Sequence, residues 1–356
     1  MSSSTNTVSQ QTDPSGGRAP GAAAAVIAGL GTCLPDRAVK NEEIARRLGV
    51  SVDWIVERTG IEQRFVLESA GATSDLAVEA GRRALASCDA GEIGFLILAT
   101  CTPDHTFPST APAVAARLGL PGIAAFDLNA ACSGFVYALS VADGMLASGG
   151  YRAGLVIGAD AISTIIDHDD SVTAPIFGDG AGAVVVRAGH AGEPGAVAAH
   201  VLGSDGAQVD LLKTAGGGSR QRAADVPPDP ADSYLTMQGR LVFRHAVARM
   251  TQASVTVMQR MGWSPADVDR LVAHQANRRI LVATAQSLGI AEERAVVNVD
   301  RVANTSAASI PLALADALAD GTLEPGHRVL LTAFGGGLTW ASAALTWPQL
   351  SVNAGG

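Results

Sequence analysis

Apolar and polar positions along this chain switch between the period of strands and the period of helices. The run Phe126–Leu146, FDLNAACSGFVYALSVADGML, opens as a short apolar strand and crosses a junction of small residues. It continues as a helix apolar on nearly every face, a pattern that belongs in the middle of a large core. Order begins near Ala24, where VIAGLGTCLPD predicts a strand into a turn and NEEIARRLG a helix closed by Gly49. SVDWIVERTG predicts a short amphipathic segment with Trp54 and Arg58 on one face. TSDLAVEAGRRALASC predicts a helix, and IGFLILATC, without polar alternation, a strand covered on both sides. PSTAPAVAARLGL predicts a helix with Pro108 early and Gly119 near its end. After the Phe126 unit come the strand GLVIGAD, a loop over Ala161–Pro175, and IFGDGAGAVVV, a sharp turn into a strand.

The second half repeats this order. LVAHQANRRILVATAQSLG echoes the run from Ile93, and VVNVDRVANTSAASIPLALADAL echoes the Phe126 unit. RVLLTAF echoes GLVIGAD, and FGGGLTWASAALTW echoes FGDGAGAVVV. Four elements recurring in one order predict an internal duplication: two α/β halves whose sheets meet around their central helices. The expected divisions are a flexible tail over 1–23, halves over 24–190 and 191–347, and a C-terminal tail over 348–356. Ala215–Ser233 stands outside the repeat and reads as loop, while Leu241–Met261 has helical spacing.

Composition narrows the class. The 356 residues are 47% hydrophobic but only 4% aromatic, with 40 glycines, which suits a closely packed α/β protein. A net charge of −9 argues against nucleic acid as a partner. No stretch approaches the roughly 20 apolar residues of a membrane span. Cys33, Cys88, Cys101 and Cys132 have no CxxC spacing, so a reducing cytoplasm is the expected compartment. Between Gln238 and Leu281 seven arginines face two aspartates, a local basic patch suited to docking something acidic.

Candidate chemistry gathers at predicted strand ends, where open α/β sheets bind ligands. Cys132 lies in the first turn of the apolar helix, where the dipole and unpaired N–H groups favour a thiolate. Asn304, in VANTSAAS, lies at the equivalent junction of half two, and His274, in AHQAN, ends a neighbouring strand. FGGG, Phe334–Gly337, is bare backbone able to present N–H donors to an oxyanion. Trp54 beside Arg58 is suited to a planar ring such as adenine.

Together the motifs AACSGF, HQANRRI, NTSAAS, IFGDGAGA and FGGGLTW resemble those of β-ketoacyl-acyl-carrier-protein synthase III, in the thiolase-like superfamily, over residues 24–347. The resemblance implies a homodimer of five-layered αβαβα subunits. It implies Cys132 as acyl-accepting nucleophile, His274 and Asn304 as the decarboxylating pair, and Gly336 as an oxyanion N–H beside that of Cys132. Trp54 and Arg58 match positions at the nucleotide end of coenzyme A; Gly239, Arg244, Asn277 and Arg279 match the pantetheine channel and its mouth. Phe107 is similar to the residue that closes the partner's acyl pocket, and Ile162, Phe177 and Leu235 to that pocket's lining, with Phe334 beside the substrate. An acidic acyl carrier protein is expected on Arg244, Gln275, Ala276, Arg278 and Arg279. Four positions depart from the family pattern: Ser171 stands for an arginine, Gln286 and Ser287 for lysines, and Ala303 for a glycine.

The implied reaction is decarboxylative condensation of an acyl-CoA with malonyl-acyl carrier protein, initiating a fatty-acid chain. Acyl-CoA and malonyl carrier protein are substrates, and no metal or bound cofactor is called for. The same chemistry priming a polyketide with another starter stays open. Cys, His and Asn in that order also suit a cysteine peptidase, although the CG[SA]C[WY] context is missing. A non-catalytic partner subunit is the third reading, and the intact Cys132 counts against it.

Overall fold

The computed structural model describes residues 18–350 apart from 20, 69, 90, 225, 226 and 228. The expected tails therefore lie mostly outside the described residues. Their inner ends are ordered structure instead: Ala23 opens a strand, Arg18 pairs with Asp143, Pro348 is buried and Leu350 packs on the central core.

Two sheets carry the architecture. The first contains β1 (Ala23–Cys33), β2 (Ile93–Ala99), β3 (Ala124–Leu128), β4 (Ala153–Asp160) and β5 (Gly180–His190), in the spatial order β1-β5-β4-β2-β3. The second contains β6 (Ala199–Ser204), β7 (Arg270–Ala273), β8 (Arg328–Gly335) and β9 (Thr339–Thr346), ordered β7-β8-β9-β6. The repeated register is visible in the pairing: β2 runs parallel to β4, which is antiparallel to β5. Likewise β7 runs parallel to β8, which is antiparallel to β9.

Six helices matter for the site: α1 (Val52–Thr59), α2 (Thr73–Ala86), α3 (Gly134–Ala147), α4 (Gly239–Met261), α5 (Arg278–Leu288) and α6 (Ser309–Ala319). In β2, Phe95, Ile97 and Ala99 turn to the central core while Leu96 and Leu98 turn to the opposite face, and all five are fully buried. That two-sided burial is why the strand shows no polar alternation. The central core holds α3 and α6 between the sheets, with α2 outside the first and α4 and α5 outside the second. The result is five layers, αβαβα. Phe135, Leu139 and Leu146 of α3 are buried, each contributing about 1.5–3 kcal/mol relative to exposure. One continuous core thus spans both halves and fixes the heads of α3 and α6 against each other.

The described part of the Ala215–Ser233 segment is loop with two single-turn pieces, an α-turn at Ser219–Arg222 and a 3-10 turn at Pro230–Ser233. The helix predicted over Leu241–Met261 begins two residues earlier, at Gly239. No helix among the described residues is long and apolar enough to cross a membrane.

Candidate active site

Each central helix is launched by the same local turn. Asn129 Oδ1 accepts the Ala131 N–H at 3.1 Å, and Asn304 Oδ1 accepts the Ser306 N–H at 2.9 Å. Ala131 and Ser306 then take φ of 47° and 51°, a left-handed step that turns the chain into the helix. A 3-10 turn follows in each half, Ala131–Ser133 and Ser306–Ala308, before α3 starts at Gly134 and α6 at Ser309. Asn304 therefore corresponds residue for residue to Asn129, and Cys132 corresponds to Ala307. The sequence had set Asn304 opposite Cys132 only at the level of the junction.

The facing strand ends differ in a way that frees a donor. Asp160 closes β4 and is fully buried; its Oδ2 accepts the Ala307 N–H at 3.1 Å, and its Oδ1 accepts the Cys101 N–H at 2.8 Å. Its counterpart closing β8 is Gly335, which has no side chain; a Cβ there would stand 2.6 Å from the Cys132 nitrogen. Among the described residues the Gly336 N–H has no acceptor, and the Cys132 N–H reaches only its own sulfur. A backbone N–H at the thiol-bearing residue is the kind of donor a thioester oxyanion requires.

Cys132, His274 and Asn304 line one cavity of about 580 Å3, together with Phe177 and Phe334. Cys132 is half-buried, and burial pushes its thiol up to about 12. A hydrogen bond from Ser306 lowers it, and the nearby Asp160 charge raises it further. Loss of solvent works against the helix terminus, which favours a thiolate. His274 is 3% exposed, and burial holds its imidazole down to about 3, so the ring is neutral. The backbone N–H of His274 donates to Thr332 O at 2.8 Å, and its Nδ1 lies 2.7 Å from Ser309 Oγ. With Oδ1 of Asn304 taken by Ser306, the amide Nδ2–H2 is the part of that side chain available to a ligand.

Exposed Arg58, Arg244 and Arg279, with Gly239, Ala276 and Asn277, line the same cavity. The Arg58 guanidinium lies 4.2 Å over the Trp54 ring, so these two are in direct contact and present one stacked face. Asn277 also caps α5, its Oδ1 accepting the Ile280 N–H at 3.0 Å. Ile162 and Leu235 pack with Phe177 and Cys101 in an adjoining apolar cluster. Gly336 is not on the cavity wall, where Phe334 represents the FGGG segment. Phe107 stands apart, 89% exposed.

One of the expected carrier contacts falls elsewhere. Gln275 is fully buried: its Oε1 accepts the Asn298 N–H at 3.0 Å and its Nε2 donates to Ala273 O at 2.8 Å. It ties β7 to the chain ahead of Asn304. Arg278 is exposed but off the cavity, 3.9 Å from Glu292. Ile176, Leu212, Met237, Arg240, Val242, Phe243 and Ile280 also line the cavity. Of these only Arg240 carried a signal, as part of the basic patch; the apolar ones look like core. Ala303 has φ 62° and ψ −163°, a conformation that glycine adopts without strain, which accounts for the glycine usual at this position in the family.

A thiol, a neutral imidazole and a carboxamide under backbone donors, inside an αβαβα fold, define a thiolase-like acyltransferase. Comparison with known proteins agrees. The family described as 3-oxoacyl-[acyl-carrier-protein (ACP)] synthase III matches residues 126–206, and its C-terminal counterpart matches residues 258–347. β-Ketoacyl-[acyl-carrier-protein] synthase III 5 of Streptomyces coelicolor is 56% identical over 92% of this chain and 98% of that protein. The crystal structure of 3-oxoacyl-(acyl carrier protein) synthase III from Pseudomonas aeruginosa covers 92% of this chain and 99% of its own, at 45% identity and a TM-score of 0.86. The priming β-ketosynthase of the R1128 polyketide pathway covers 94% of this chain and 100% of its own, at 34% identity and a TM-score of 0.85. The chain belongs to the β-ketoacyl-acyl-carrier-protein synthase III family of acyltransferases.

Proposed function

We propose that this enzyme joins an acyl-CoA starter to malonyl-acyl carrier protein, releasing CO2 and initiating a fatty-acid chain. The observation that carries this reading is the meeting of Cys132, His274 and Asn304 in one cavity whose mouth bears Arg58, Arg240, Arg244 and Arg279. Buried neutral donors suit the chemistry, and exposed cations suit the phosphates of coenzyme A or a carrier.

In the first half-reaction the Cys132 sulfur attacks the thioester carbon, and the N–H groups of Cys132 and Gly336 hold the oxyanion. The C–S bond to coenzyme A breaks, and its thiolate takes up the proton lost from Cys132. In the second, malonyl thioester loses CO2, and the charge moves onto the thioester oxygen. There the Asn304 amide and a His274 ring N–H act as donors, and neither has to ionise. The enolate carbon then attacks acyl-Cys132 and expels the Cys132 thiolate. No step needs a metal or redox group.

The homodimer belongs to the same proposal. It is supported by Phe107, an aromatic side chain left in water on each isolated protomer. The four unpaired cysteines suit a cytoplasmic setting. The similarity to a priming ketosynthase supports a second reading, a polyketide starter in place of a fatty-acid one. Mass spectrometry after exposure to a panel of acyl-CoAs tests both. One acyl mass should appear on the Cys132 peptide and vanish in Cys132→Ala, and the preferred acyl group separates the two pathways. Label on Cys33, Cys88 or Cys101 would overturn the assignment.

A further inference from the structure

Ser309 opens α6, the helix behind the cavity, and its side chain is fully buried. Its Oγ lies 2.7 Å from His274 Nδ1, and among the described residues it has no other hydrogen-bond partner. A buried hydroxyl proton left without an acceptor costs the full desolvation of that group. Nδ1 is the acceptor within reach, so the hydroxyl donates to it. The ring proton then sits on Nε2. Had Nδ1 carried the proton, it would donate to Ser309 and leave the serine O–H with nothing to bond.

The duplication offers an internal comparison. Gly134 starts α3 where Ser309 starts α6. Ala99 pairs with Gly158, two positions before the end of β4, and the matching register in the second sheet falls on His274. In the first half the pair is thus Ala99 against Gly134; a Cβ at Gly134 would lie 3.2 Å from that of Ala99. In the second half the same contact is His274 against Ser309. The imidazole and the hydroxyl occur together in one half, and two of the smallest residues fill the place in the other.

We infer that Ser309 is a positioning residue that holds His274 in the Nε2–H tautomer, making it a hydrogen-bond donor during malonyl decarboxylation. This rests on the reaction proposed above. Burial keeps the ring neutral, so the tautomer alone decides whether Nε2 gives or takes a hydrogen bond. A donor at Nε2 serves the developing enolate oxygen. It does not serve as base for the Cys132 thiol, so the two half-reactions depend on Ser309 unequally.

The test pairs Ser309→Ala with Ser309→Thr. With the acyl-CoA that labels Cys132, single-turnover acylation of Ser309→Ala should stay within about twofold of wild type. Release of labelled CO2 from malonyl thioester by the acylated variant should fall about tenfold or more, and Ser309→Thr should recover most of it. Long-range 1H–15N correlation of the wild-type imidazoles, with His274 assigned from His274→Asn, should place the proton on Nε2. The inference is overturned if both half-reactions of Ser309→Ala fall together, if CO2 release is unchanged, or if wild-type His274 carries its proton on Nδ1. Failure of wild type itself to form acyl-Cys132 or release CO2 would instead overturn the reaction on which the inference rests.

Discussion

Burial decides the protonation state of both reactive side chains. The Cys132 thiol, held up at about 12 by loss of solvent, is protonated throughout the neutral range. Its acylation rate should climb with pH past 9 without levelling, when single-turnover labelling is followed by mass spectrometry; a plateau near pH 7 would show an activated thiolate. His274 behaves oppositely. Its ring is neutral from about pH 3 upward, so CO2 release by preformed acyl-enzyme should show no break near 6.5, the ordinary histidine value. The folded protein also loses stability as pH falls below 6.5, because the unfolded chain binds a proton that buried His274 refuses until about 3. The motifs that bring Cys132, His274 and Asn304 into one cavity were legible, as was a neutral role for His274 and Asn304, but the burial of Cys132 was not. A helix terminus is visible in a sequence, whereas the solvent removed by the opposite half of the protein is not. Gln275 fails for a related reason: in HQAN it looks like surface, yet the backbone N–H groups of Asn298 and Val299 need its carbonyl.

The repeated strand–turn–helix order could be read because apolar periodicity survives duplication. The residue correspondence could not, because the two halves share little at the decisive positions: Cys132 faces Ala307, and Asp160 faces Gly335. The expected tail boundary also misplaced Arg18, whose contact lies on a distant helix. Its Nη1 donates to Asp143 Oδ1 on α3 at 2.7 Å, and the Ala25 N–H donates to the same oxygen at 2.8 Å. Burial alone would raise the Asp143 carboxyl, but hydrogen bonds from His200, Arg18 and Ala25 outweigh it and hold the group below its ordinary 3.8. A depressed carboxyl stabilises the fold above the unfolded value, and that contribution is lost as pH falls through the folded one. Arg18→Ala should therefore cost about 2 kcal/mol at pH 7, read as a lower Tm. The deficit should shrink below pH 3.8. An equal deficit at both pH values would assign the effect to packing instead.

At the scale of the whole molecule, an acidic chain of net charge −9 keeps a cationic face around the mouth of its cavity, on α4 and α5. Gln286 and Ser287 are exposed at the far end of α5, so cations near the cavity are left to steer an acidic carrier. Arg244→Glu should raise KM for malonyl carrier protein severalfold, and wild-type KM should rise with salt as exposed charges are screened. Insensitivity to both would move docking elsewhere. The central claim is a division of labour between the halves: Cys132 with its backbone N–H donors forms the acyl-enzyme, while His274 and Asn304 stabilise the enolate. The measurement that tests it most directly is a pair of assays on Asn304→Ala, single-turnover acylation by mass spectrometry and release of labelled CO2 from malonyl thioester. Acylation at a near-normal rate with CO2 release down by about 10²–10³ is the predicted result. Acylation that collapses while CO2 release persists would contradict it.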